Sequence, residues 1–102
     1  MDAIMLSEKD NVATALREVT AGEEITVGVQ ERSMRVRAAQ AIAFGHKLAV
    51  TDINLGDQIL KYGEVIGRAT QRIPAGAHAH IHNIESLRGR GDLEAGASGH
   101  GV

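Results

Sequence analysis

Apolar and polar positions fall in short runs along this chain, and glycine corners separate the runs. One pattern recurs: an apolar residue, two residues, a glycine, two residues, then a small or apolar residue. It occurs as Val19-Thr20-Ala21-Gly22-Glu23-Glu24-Ile25 and as Ile42-Ala43-Phe44-Gly45-His46-Lys47-Leu48. It returns as Ile53-Asn54-Leu55-Gly56-Asp57-Gln58-Ile59 and as Ile73-Pro74-Ala75-Gly76-Ala77-His78-Ala79. Each glycine suits a positive φ inside a tight turn. Each copy therefore runs from an apolar anchor through a turn into a predicted strand, with Pro74 suited to the second turn position. The irregular spacing argues against a solenoid and predicts a compact, mainly β domain with sharp corners.

The runs between corners give the other elements. Residues 3–6 predict a short strand. Residues 25–29 and 34–37 predict hairpin arms about Gln30-Glu31-Arg32-Ser33, the second arm alternating apolar and basic. Residues 48–50 and 65–69 predict core strands. One segment predicts a short helix: Asp10 suits an N-cap, Val12, Leu16 and Val19 share a face at helical spacing, and Gly22 ends it. The ordered domain is expected over residues 1–87. Residues 88–102 are rich in Gly, Ser and Ala and predict a flexible tail.

Composition narrows the class. A chain of 102 residues supports one domain. With no Trp, one Tyr and one Phe, the core must be aliphatic. A formal net charge of -2 gives no bulk electrostatic argument for nucleic acid. No apolar run approaches the roughly 20 residues that span a bilayer, and the first ten residues lack the pattern of a secretory signal. Cysteine is absent, which excludes disulfides and thiolate sites and leaves nitrogen and oxygen ligands for any metal. That fits a reducing compartment, so a cytoplasmic location is expected.

The candidate chemistry lies in His78-Ala79-His80-Ile81-His82, which holds three of the five histidines. On an extended strand all three imidazoles would line one face. Neighbouring same-face residues lie ~6.5–7 Å apart, so two imidazoles can converge on one ion, whereas the outer pair would be ~13 Å apart. His80 with either His78 or His82 is then the favoured ligand pair, with further ligands from elsewhere. The competing reading is a row of surface histidines.

Other residues carry paired readings. His46 could complete a metal site or act as a base, and Lys47 could bind a carboxylate; the alternative is a solvated turn pair. Lys61 and Tyr62 offer a cation and a phenol, or form a hairpin corner in which Tyr62 packs. Asn83 would bond substrate hydroxyls or cap a turn. Arg88-Gly89-Arg90-Gly91-Asp92 reads as an anion-binding loop or a linker. No phosphate-binding loop, Gly-x-Ser-x-Gly elbow or Cys nucleophile is present.

Five short motifs occur in order: Gly45-His46-Lys47, Thr51-Asp52-Ile53, Lys61-Tyr62-Gly63, Ile66-Gly67, and His78-Ala79-His80-Ile81-His82-Asn83. Together with Asp10-Asn11-Val12 and Ala15-Leu16, they resemble the N-terminal domain of the altronate/galactarate dehydratase family. The resemblance spans roughly residues 3–92 and favours the altronate-like branch. It implies an SAF-type β-clip domain with short strands and one small helix. It also implies a small subunit beside a separate large catalytic subunit, as in sulfolactate sulfo-lyase, with homo-oligomers left open. The implied chemistry is β-elimination of water from a polyhydroxy carboxylate with divalent Fe(II) or Mn(II). On that reading His78, His80 and His82 are metal ligands, His46, Lys61 and Tyr62 act at the reaction centre, and Lys47 and Asn83 bind substrate. Two alternatives remain: the small subunit of a sulfolactate sulfo-lyase, and a non-catalytic module that binds a sugar acid or a metal.

Overall fold

The computed structural model describes residues 1–87, which form nine short strands. They are β1 (Ala3–Met5), β2 (Val12–Ala15), β3 (Glu24–Val29), β4 (Arg32–Arg37), β5 (Lys47–Ala49), β6 (Gln58–Lys61), β7 (Glu64–Ala69), β8 (His78–Ala79) and β9 (Ile84–Ser86). Six build one sheet in the order β4-β3-β1-β2-β5-β8, and three build a second, β6-β7-β9. The β1–β3 pair is parallel and all other pairs are antiparallel. The tail expected over residues 88–102 lies outside the described residues.

The four recurring glycines sit in the left-handed region, at φ 87, 83, 90 and 87° for Gly22, Gly45, Gly56 and Gly76. In each corner the residue after the glycine donates its N–H to the carbonyl three residues earlier: Glu23 to Thr20, His46 to Ala43, Asp57 to Asn54 and Ala77 to Pro74. The glycine thus holds the third turn position, where a positive φ is required. Pro74 occupies the first position, not the second. The apolar anchors meet in pairs, Val19 with Ile42 and Ile53 with Ile73. The first hairpin is tighter than expected: its loop is Gln30-Glu31, and Arg32 and Ser33 already belong to β4.

The predicted N-terminal helix is a strand. Val12–Ala15 pairs with β1 on one side and β5 on the other. Ala13 faces a core cluster with Ile25, Val27, Ile42 and Leu48, while Val12 faces a second cluster with Ile53, Ile59, Ile73 and Ile84. A strand buried on both faces reads as a continuous apolar run, which periodicity alone does not separate from a short helix. Leu16, assigned to the helical face, is 42% exposed.

Asp10 caps no helix. Its buried carboxylate accepts N–H bonds from Leu6 and Ser7 at 3.3 Å and from Tyr62 and Gly63 at 2.8 Å. It thereby ties the β1–β2 loop to the β6–β7 corner. In that corner Tyr62 and Gly63 both have positive φ, 55 and 81°. This is the geometry of a type I′ hairpin turn, which is costly for a bulky residue such as tyrosine.

Candidate active site

The sheet register brings the histidines together. In the β5–β8 ladder Lys47 faces Ala79 and Leu48 faces His78. Continued by one step, that register sets His46, at the exit of the Gly45 turn, opposite His80. Their rings stack with centroids 4.2 Å apart. His46 Nδ1 lies 2.9 Å from His78 Nε2. One ring nitrogen from each of His46, His78 and His80 falls within 4.8 Å of the others.

The alternating run does not stay extended. β8 ends at Ala79, and residues 81–83 form a turn. Asn83 enforces it: its Oδ1 accepts the His80 N–H and its Nδ2 donates to the His78 carbonyl, each at 2.9 Å. The turn folds His82 back, so its ring lies 5.1 Å from that of His78 instead of at the far end of a strand. His82 is exposed and stands outside the three-nitrogen group. Asn83 is 5% exposed and both ends of its amide are committed to backbone. These bonds give Asn83 its turn-capping role.

The nitrogen cluster suits a divalent ion on its own chemistry. His80 Nδ1 is buried without a hydrogen-bond partner, which is costly unless something binds it. Two ligands ~2.1 Å from one ion and at about a right angle are roughly 3 Å apart, close to the His46–His78 separation. Burial, then the neighbouring imidazoles and Lys47, lowers the pKa of His78 and His80. Both rings are accordingly shifted toward the neutral form, the one that ligates metal.

Lysines 47 and 61 and Tyr62 form a second group. Directly opposed residues share a sheet face, so Lys47 lies on the face of Thr14 and Ala79, whereas His46 and His78 lie on the other. The two groups are still close enough for the Lys47 charge to act on His78 and His80. Lys47 is 3% exposed, and no ion pair among the described residues includes Lys47 or Lys61. Burial, then Lys61, lowers the Lys47 pKa to about 8. Tyr62 donates its phenol O–H to Thr14 Oγ1 at 3.2 Å, and Lys61 Nζ lies 5.0 Å from the Tyr62 ring centre. An ammonium on a largely buried side chain with no acid partner is a place for a carboxylate.

Sequence reasoning missed Asp10 and Thr14 as parts of this region. Asp10 was legible only as a capping type, because its partners lie 52 and 53 residues away. Thr14 gave no signal, since only the β2–β5 register sets it beside Lys47.

The lowered imidazole pKa values have a consequence for stability. The unfolded rings protonate near their ordinary value of 6.5, while the folded rings resist. Below that pH the unfolded state binds protons that the native state refuses, so stability must fall. The metal-free chain is expected to hold its urea midpoint above pH 7 and lose it progressively below about 6.5. Replacing both His78 and His80 with Gln should flatten that slope, and a midpoint unchanged from pH 7.5 to 5.5 in the native chain would contradict it. Asp2, held low first by the Thr26 N–H, and Glu23, held low first by Arg17, act in a separate window near and below their ordinary values of 3.8 and 4.5.

Residues 1–87 match the altronate/galactarate dehydratase SAF domain. The chain is 43% identical over 86 residues to an altronate dehydratase of Escherichia coli, covering 84% of this chain and 17% of that protein. It is 36% identical over 83 residues to the altronate dehydratase of Bacillus subtilis, covering 81% and 16% respectively. It is 35% identical over 91 residues to the (2R)-sulfolactate sulfo-lyase subunit alpha of Chromohalobacter salexigens, covering 86% of this chain and 97% of that subunit. The chain thus spans about a sixth of the altronate dehydratases and nearly all of the sulfo-lyase subunit. On the match over residues 1–87, this chain belongs to the altronate/galactarate dehydratase SAF-domain family.

Proposed function

We propose that the chain is the small subunit of an altronate dehydratase-like hydro-lyase, forming one wall of an active site completed by a large catalytic subunit. The observation that carries this is the convergence of His46, His78 and His80, with the buried, acid-free Lys47 on the opposite sheet face but close enough for its charge to reach His78 and His80. The relatives named as dehydratases and lyases support the reaction class. The match to nearly all of a lyase subunit supports a separate partner chain.

In this reading His46, His78 and His80 hold a divalent ion, Fe(II) or Mn(II), and His82 stands beside them. Bound there, the ion would supply Lewis acidity toward the substrate's carboxylate and adjacent oxygen. Lys47 binds the carboxylate; at a pKa of about 8 it is mainly cationic at pH 7. In the same reading Lys61 and Tyr62 take the proton-transfer roles, removing a proton from carbon or delivering one to the departing hydroxyl, and Thr14 orients the phenol. The elimination balances within the substrate: the α-proton goes to a base, the β-hydroxyl leaves as water after protonation, and no redox partner is needed.

Phe44 and Ile81, each 67% exposed, neighbour the cluster in sequence, two residues before His46 and between His80 and His82. Their apolar surface suits cover by the partner. The sulfo-lyase reading keeps the same residues and changes the leaving group to sulfite; the match over 97% of such a subunit favours it as the second reading. Assaying this chain with and without its large subunit tests both. Altronate should be dehydrated only by the pair. Full turnover by this chain alone would overturn the shared site, and pyruvate release from sulfolactate without altronate turnover would reverse the ranking.

A further inference from the structure

His46 and His78 also line a groove of about 330 Å³. The bridged pair Val19 and Ile42, both buried, lines it together with Ala41 and Ala43. Its one acidic group is Glu18. Glu18 is exposed and makes no ion pair among the described residues; the neighbouring Arg17 is engaged by Asp2 and Glu23 and reaches only the Glu18 carbonyl. The groove therefore offers a carboxylate, two imidazoles and small apolar walls.

We propose that this groove is the subsite for the hydroxylated tail of the substrate, with Glu18 as its hydrogen-bond acceptor. The inference rests on the proposed site at His46, His78 and His80 and adds what that site selects. A carboxylate only accepts hydrogen bonds, so it pairs with the donors of a polyol chain. It repels a second anionic group, so it disfavours a short acid that carries a sulfonate. The volume lies at the low end of the range usual for small-molecule sites, which suits a short polyol chain.

An NMR titration of this chain, isotope-labelled and paired with its unlabelled large subunit, tests the subsite, with Zn²⁺ as a diamagnetic probe ion. Altronate should shift the His46 and His78 ring signals together with the Ala41 and Ala43 methyl signals. Glycerate, a hydroxy acid without the longer tail, should shift the rings and leave the methyls in place. Glu18→Ala should weaken altronate roughly ten-fold and leave glycerate unchanged, while Glu18→Gln, which keeps an acceptor oxygen, should retain most of the affinity. Removing the charge should also let sulfolactate bind more tightly. Altronate shifts confined to the rings, or equal weakening of both acids in Glu18→Ala, would overturn the subsite and leave the histidine site standing. If neither acid moves His46 or His78, the site reading itself fails.

Discussion

Replacing His80 with Ala should abolish binding of a divalent ion while leaving the fold intact. His80 provides one of three convergent nitrogens, and its Nδ1 is buried with no protein partner. Truncating it removes a ligand and also removes an unsatisfied polar atom, so stability has little to lose at that nitrogen. The Mn²⁺ affinity should drop by at least about 100-fold, since even outer-sphere supports are worth 10–100-fold. Isothermal titration against Mn²⁺, with urea unfolding as the control, reads both quantities. His82→Ala should weaken the ion far less, because His82 lies outside the three-nitrogen group. Native Mn²⁺ affinity in His80→Ala, or an equal loss in His82→Ala, would sink this ligand assignment.

Replacing Asp10 with Ala should destabilise the chain more than any exposed substitution. Four backbone N–H groups converge on that carboxylate, two from the β1–β2 loop and two from the β6–β7 corner. Each donor left unpaired costs ~1–3 kcal/mol when buried, and the terms are not additive, so about 3–5 kcal/mol in total is expected. Asp10→Asn keeps one acceptor oxygen and should lose roughly half of that. Urea unfolding provides the measurement. The same substitution releases Tyr62, whose positive φ persists only while its surroundings hold it. The phenol should then leave Thr14, visible as a change in Tyr62 ring signals at urea concentrations far below the midpoint. A loss under 1 kcal/mol in Asp10→Ala would show that water replaces the carboxylate at these donors.

The two residues differ in how they could be recognised. His80 stood out in sequence because three histidines in strict alternation are conspicuous. Its grouping did not, because the alternation suggested a straight strand with His82 as an equal member. Asn83 decides otherwise, by drawing the His78 carbonyl and the His80 N–H onto one amide. His46 had only its place after a glycine turn to recommend it. The β5–β8 register promotes it to a position against His80.

Lys47 and Lys61 were visible as cations in polar clusters. That Lys47 is buried without an acid was not visible, because its neighbours come from β2, β8 and the β6 end. The same non-locality misled the reading of residues 11–19. Val12, Leu16 and Val19 match helical spacing, yet the strand wins through β1 and β5, which fill its hydrogen bonds on both edges.

By itself the sequence determined what is local. It specified four glycine corners, an aliphatic β domain, the family motifs, and the absence of any thiolate ligand. These follow from backbone φ preferences, side-chain chemistry and short spacings. Only the tertiary structure decided what is shared between distant segments: His46 with His78 and His80, Tyr62 on Thr14, and Asp10 beneath both loops. Strand pairing over 32 to 53 residues of sequence sets those contacts, and no local pattern encodes a register between strands that far apart.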